Sequence, residues 1–194
     1  ILLKSPGNYM NFLKGMDLDE VEQIVTDEED IYQEILGFFQ GKEPLASKVK
    51  LYQDSMLSLS NLYGLRNKIE DALKERVWLN SGAYLVIQPT EALTVIDVNS
   101  GKAIKGNAKD YFKRVNLEAA EEIARQLRLR NISGICIVDF INMGSKEDEA
   151  LLAQTLKEHL KADPVPAAFL DFTKLGLAEI TRKKLKKPLW EQVE

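Results

Sequence analysis

VWLNSGAYLVIQPTEALTVIDVNSG, residues 77–101, decides the fold of this chain. Apolar and polar residues alternate along it with the period of two that sends successive side chains to opposite faces of a strand. Two turn signals, Asn80-Ser81-Gly82 and Pro89-Thr90-Glu91, cut it into three pieces. Turn residues between alternating runs predict a three-stranded antiparallel meander.

Downstream the pattern becomes helix, strand, helix, strand. YFKRVNLEAAEEIARQLRLR (111–130) reads as a helix, and GICIVDF (134–140) as an apolar strand buried on both faces. SKEDEALLAQTLKEHLKAD (145–163) reads as a helix capped by Ser145, and AAFLDF (167–172) as the last clear strand before a final basic segment. Upstream, MDLDEVEQIVTDEEDIYQEILGFF (16–39) predicts a short strand from Val21 to Val25. A helix follows, capped by Thr26 or Asp27, with Glu28, Glu29 and Asp30 in its first turn, where carboxylates suit the helix dipole. These acids also permit a metal site, although clustered acids at a helix start are common. GKEPLASK (41–48) reads as a loop, and LYGLRNKIEDALKERV (62–77) as a helix with Leu65, Ile69, Ala72 and Leu73 on one face. The fold class is therefore α/β, a mixed sheet flanked by helices with a smaller N-terminal α/β part, and a subdomain boundary is expected between about Lys68 and Val77.

Bulk properties narrow the function classes. With 194 residues and 45% hydrophobic content, the chain can bury one substantial core, or one large and one small. No apolar run approaches the roughly 18 residues of a membrane span, and ILLKSPGNYMNF lacks the pattern of a secretory signal, so a cytoplasmic address is expected. The chain opens at Ile1 without a methionine and is expected to be a piece of something longer. One cysteine, Cys136, excludes an internal disulfide and a paired-thiolate zinc site, and reads as a buried small hydrophobe. The net charge of -4 is unevenly spread, with -6 on residues 1–92 and +4 on residues 93–187. A basic second half is compatible with a polyanion site on that part alone.

Two strands end on an aspartate: Asp97 closes LTVID and Asp139 closes ICIVD. Ligands of open α/β sheets gather beyond the carboxyl ends of the strands, so two such carboxylates can converge on a hard cation. Asn99 lies on the face of Asp97 if the strand continues, as a supporting donor or a ligand. A strand-end Asp is also a common cap or turn former, and the spacing alone leaves both readings open. The lone His159 near a helix end suits a solvated or dipole-satisfying role. No Ser-His-Asp set, Walker loop or Gly-x-Gly-x-x-Gly motif is present. Lys102, Lys105, Arg125, Arg128, Arg130 and the run Arg182, Lys183, Lys184, Lys186 and Lys187 are candidate phosphate contacts, each with a solvated basic face as the simpler alternative.

LTVIDVNSGK (93–102), NLEAAEEIARQLRLRNISGICIVDFINM (116–143) and LGLAEITRKK (175–184) together resemble the catalytic region of the ribonuclease E/G family of bacterial endoribonucleases. The likeness is continuous from about Arg76 to Lys187, and weaker through VKLYQDS (49–55) and IEDALKERVWLNSGAYLVI (69–87). It implies a DNase I-like catalytic subdomain over residues 75–194 and part of an RNase H-like subdomain over residues 1–74. It further implies cleavage of single-stranded, often A/U-rich RNA that leaves a 5′-phosphate on the downstream product, in ribosomal RNA processing and mRNA decay. The family's catalytic aspartates fall on Asp97 and Asp139, as ligands of Mg²⁺ for which Mn²⁺ can substitute, and its supporting asparagine falls on Asn99. The candidate RNA contacts are Lys102, Lys105, Arg125, Arg128, Arg182 and Lys183. A homo-oligomer is expected of the full-length protein.

Departures qualify the likeness. The S1 domain that clamps RNA in the family, and the upstream pocket that senses a 5′-monophosphate, have no counterpart in these residues. ADPVPAAF (162–169) carries Pro164 and Pro166 where many relatives have a basic residue, and KPLWEQVE (187–194) has no zinc-binding cysteine pair. Structural zinc is not supported. A non-catalytic RNA-binding or assembly fragment of the same fold is the alternative, and a metal phosphatase acting on small phosphoesters is a third.

Overall fold

A computed structural model describes residues 8–16, 18–19, 21–101 and 107–193. The chain divides into two compact units, residues 1–68 and 69–194. The first contains α1 (Asn8–Lys14), β1 (Ile24–Thr26), α2 (Glu29–Phe38), α3 (Glu43–Ala46), β2 (Val49–Leu51) and α4 (Leu59–Leu62), and α5 (Leu65–Leu73) crosses the division. β1 and β2 pair in parallel, and Met10, Leu13, Ile35, Phe39 and Val49 close a small core. The strand falls at Ile24–Thr26 rather than Val21–Val25, because Ile24, Val25 and Thr26 are the residues that pair with Val49, Lys50 and Leu51 of β2. Thr26 Oγ1 accepts from the Glu28 amide, yet the residue in the cap position of α2 is Glu28, with no side-chain cap. GKEPLASK is not wholly loop: Pro44 enters the first turn of the short α3, where its missing N–H costs nothing. The expected apolar face of α5 is not buried as a face. Ala72 is its buried residue, while Leu65 and Ile69 are exposed.

The second unit is one six-stranded sheet with two long helices. In chain order it runs β3 (Arg76–Trp78), β4 (Tyr84–Pro89), β5 (Thr94–Asn99), α6 (Ala108–Leu129), β6 (Gly134–Asp139), α7 (Lys146–Lys161), β7 (Ala167–Phe172) and β8 (Ala178–Arg182), with a 3-10 turn at Leu189–Glu191. Spatially the strands run β3-β4-β5-β6-β8-β7. β3, β4 and β5 form the predicted antiparallel meander, β5 and β6 pair in parallel across the α6 crossover, and β8 and β7 complete the sheet antiparallel. Asn107 caps α6 and Ser145 caps α7, each side chain accepting from a first-turn backbone N–H.

Alternate residues of every strand face one core. Leu85, Ile87, Ile96, Val98, Cys136, Val138, Phe169 and Ile180 pack there with Val115, Ile123 and Leu127 of α6 and Leu152, Leu156 and Leu160 of α7. Burial pushes the Cys136 thiol up to about 12, as a small core hydrophobe requires. Both helices serve this one face. β6 is consequently buried on one side only, contrary to the expectation from its apolar run: Ile135 on its other side is 54% exposed. β8, read from sequence as part of a basic tail, is an interior strand of the sheet.

Candidate active site

The open face of the sheet carries the carboxylates. Asp97 on β5 and Asp139 on β6 are direct register partners in the parallel pair, so their Cα atoms stand about 4.8 Å apart in the pairing direction. Both are exposed, on the side opposite Ile96, Val98 and Val138. Asn99 shares that face two residues on, and its Nδ2 donates to Asp97 Oδ2 at 2.6 Å. One Asp97 oxygen is thereby held while the other remains available. Among the described residues neither aspartate is in an ion pair.

Three contacts fix the loops that carry these groups. Tyr111 of α6 donates through its hydroxyl to the Ser100 carbonyl at 2.8 Å. Gly101 has φ +65°, and a Cβ there would meet the Gly82 carbonyl oxygen at 2.5 Å, so the chain can leave β5 this way only with glycine. Asn116, fully buried in α6, donates to the Ile141 carbonyl at 2.6 Å and accepts from the Ile141 N–H at 3.1 Å, clamping the backbone two residues beyond Asp139. Sequence reasoning passed over Asn116. Its signal was a polar residue in the apolar stripe of α6, between Val115 and Ala119.

The basic residues named from sequence do not gather here. Lys102 and Lys105 lie outside the described residues. Arg182 requires correction as an RNA contact: it is 5% exposed, with Nε 2.8 Å and Nη2 3.3 Å from the two Asp163 carboxylate oxygens, and Nη1 donating to Asn131 Oδ1 and the Ile132 carbonyl. It is a buried structural ion pair. Lys183 is exposed but follows the residue paired with Gly134, about 17 Å along β6 from Asp139 at 3.3 Å per residue. Arg125 and Arg128 sit near the C-terminal end of α6, the helix packed on the covered face. They line a separate cavity with Glu118, Glu121, Glu122 and His159 that reaches the sheet edge at Trp78. Burial pushes the Glu122 carboxyl up, but bonds from Arg125 and Gln126 outweigh it and leave the group below the usual carboxylate range.

Among the described residues no group of three or more His, Cys, Asp or Glu side chains is placed so that it could hold one metal ion, and Cys136 is buried in the core. Two adjacent, accessible carboxylates with an amide bracing one of them fit Mg²⁺, which takes one or two protein carboxylates and keeps its other positions for water and phosphate oxygens.

The sequence pattern of the Ribonuclease E/G family matches residues 1–185. The chain belongs to the ribonuclease E/G family. It is 41% identical over 184 residues to Ribonuclease E of Synechocystis sp., covering 92% of this chain and 27% of that protein. It is 36% identical over 190 residues to the chloroplastic Ribonuclease E/G-like protein of Arabidopsis thaliana, covering 96% of this chain and 19% of the relative. Ribonuclease G of Escherichia coli (strain K12) is 36% identical over 172 residues, 88% of this chain and 35% of the relative. This member of the ribonuclease E/G family thus spans about a quarter of the length of the Synechocystis protein. No helix among its described residues is long and apolar enough to cross a membrane.

Proposed function

We propose that this chain is the catalytic region of a metal-dependent endoribonuclease, with Asp97 and Asp139 holding a Mg²⁺ ion and Asn99 positioning Asp97. Residues 75–194 would be the DNase I-like catalytic subdomain, and residues 1–74 part of an RNase H-like one. The observation that carries the reading is the register pairing of Asp97 with Asp139 on an open sheet face, with Asn99 bonded to Asp97. The family membership and the relatives' names, ribonuclease E and ribonuclease G, supply the substrate class.

A bound divalent cation polarises a phosphodiester and lowers the pKa of an attacking water. The chain's own contribution is placement. The two carboxylates sit at adjacent strand ends, exposed on the face that α6 and α7 leave uncovered, so a single-stranded phosphodiester can approach them. The Asn99 bond limits the freedom of the Asp97 carboxylate, which reduces the ordering needed when metal and RNA arrive. Tyr111 and Asn116 tie the two strand ends to α6, and Gly101 lets the end of β5 pass close to the Gly82 carbonyl. No side-chain nucleophile is needed, consistent with His159 lying in the last turn of α7. The expected setting is cytoplasmic ribosomal RNA processing and mRNA decay, in a homo-oligomeric full-length protein.

Cleavage of a 5′-labelled, A/U-rich single-stranded RNA with Mg²⁺ or Mn²⁺ tests this. Asp97→Asn or Asp139→Asn should lower the rate by about 10³-fold, the equivalent of several kcal/mol of lost charge stabilisation. Folding should be retained or slightly improved, because the repulsion between neighbouring carboxylates is relieved. Undiminished cleavage in both variants would refute the site; hydrolysis of a mononucleotide ester without RNA cleavage would point to a phosphatase.

A further inference from the structure

The open face carries a second constellation one strand away from Asn99. Arg76 and Trp78 of β3 and Tyr84 and Val86 of β4 point to the same side as Asp97. The register aligns Trp78, Tyr84 and Asn99 in one row across the strands, and Arg76, Val86, Asp97 and Asp139 in the next. Trp78 and Tyr84 have ring centroids 5.1 Å apart at 57°, and the Arg76 guanidinium lies 4.4 Å from the Tyr84 centroid and 5.7 Å from that of Trp78. Arg76, Trp78, Tyr84, Asn99 and Gly101 line one open cavity of about 710 Å³.

Packing does not require this arrangement. Trp78 is 63% exposed on an edge strand, where a large aromatic leaves apolar area in water. Its partner ring and the cation limit its rotamers, so little side-chain freedom remains to be lost on binding. An exposed aromatic with a guanidinium beside it matches what single-stranded nucleic acid presents, a base with a π-face joined to a phosphate. Arg76 stands two strands, about 10 Å, from Asp97. That separation suits a nucleotide flanking the bond to be cut rather than the scissile one.

We propose that Trp78, Tyr84 and Arg76 form a nucleobase-stacking subsite that holds a flanking nucleotide of single-stranded RNA and so positions the scissile phosphate over Asp97 and Asp139. The proposal rests on the ribonuclease reading above. Stacking tolerates any base, so the subsite gives affinity and register with little sequence preference.

The test is a fluorescence titration of the whole chain in EDTA with a short single-stranded oligoadenylate, in a Trp190→Phe background so that Trp78 alone reports. Saturable quenching of Trp78 is expected. Trp78→Ala should raise the Kd about 5- to 150-fold and raise KM far more than it lowers kcat, while Trp78→Phe restores most of the affinity. An oligonucleotide made abasic throughout should lose affinity for the Trp78 protein and match its affinity for the Trp78→Ala variant. Oligoadenylate that binds and is cleaved without quenching Trp78, with unchanged KM in Trp78→Ala, would overturn the subsite and leave the ribonuclease reading standing. No binding and no cleavage by the unaltered chain would overturn both. A Trp78→Ala loss that is equal for intact and abasic oligonucleotides would also overturn it, because stacking would not be its cause.

Discussion

The two faces of the second unit's sheet are made by alternate residues of the same strands, yet they meet different physics. On β5, Thr94, Ile96 and Val98 enter a core closed by α6 and α7, while Val95, Asp97 and Asn99 face outward. On β6, Cys136 and Val138 go in, and Ile135 and Asp139 go out. The covered face is apolar, and polar groups buried there are mostly bonded, as Asn116 is to Ile141 and Arg182 to Asp163, whereas Arg130 Nη2 is buried without a hydrogen-bond partner. The open face keeps carboxylates, an amide, a guanidinium and a tryptophan within a few strands of one another. Period-two alternation thus lets one set of strands hold the fold together and present chemistry, with each substitution confined largely to one of the two roles.

Substitutions on the covered side should break stability and spare the site's intrinsic chemistry. The largest effect is expected for Arg182→Ala, which strands Asp163 without its cation at 1% side-chain exposure; about 3–5 kcal/mol should be lost in denaturant unfolding. If that variant unfolds at the midpoint of the unaltered chain, the ion pair is not structural and Arg182 returns as a surface cation.

On the open side the ranking should invert. Asn99→Ala removes a donor to Asp97 from a partly exposed position, so thermal stability should barely change while Mn²⁺ affinity falls about 10- to 100-fold. Isothermal titration with Mn²⁺ reads this directly, and equal affinities would make Asn99 a bystander.

The smallest effects sharpen the boundary between the faces. Arg125→Ala and Arg128→Ala, on the helix side, should leave RNA cleavage within about twofold and stability within about 1 kcal/mol at neutral pH. Arg125→Ala carries a pH signature as well. Glu122 has a lowered folded pKa, so its contribution is present above the unfolded carboxyl value and is lost as pH falls through the lowered one. Removing Arg125 should therefore shrink the loss of stability on the acid side, and an unchanged acid limb would show that the pair contributes nothing.

Much of this organisation was legible in the sequence where the signals are local. The β3-β4-β5 meander followed from alternation and two turns, and the α7 start from Ser145. Strand-end Asp97 and Asp139 were visible as a pair, and the structure makes them neighbours. Features set by distant partners were not legible. β8 looked like the start of a basic tail because Arg182 and the lysines after it mask the alternation of AEITR, and only pairing with β6 and β7 reveals it. One-sided burial of β6 depends on both helices choosing the same face, which GICIVDF cannot disclose. Arg182 was read as a phosphate contact because its acid, Asp163, is nineteen residues away. Asn116 carried only the weak signal of a polar residue in an apolar stripe.

The proposed site requires Asp97 and Asp139 to hold a divalent cation jointly on the open face. Electron paramagnetic resonance of free Mn²⁺, titrated into the unaltered chain and into Asp97→Asn and Asp139→Asn, tests it without relying on RNA or turnover. One strong site is expected in the unaltered chain and is lost in either variant, with circular dichroism unchanged. Equal Mn²⁺ uptake by all three proteins would contradict it.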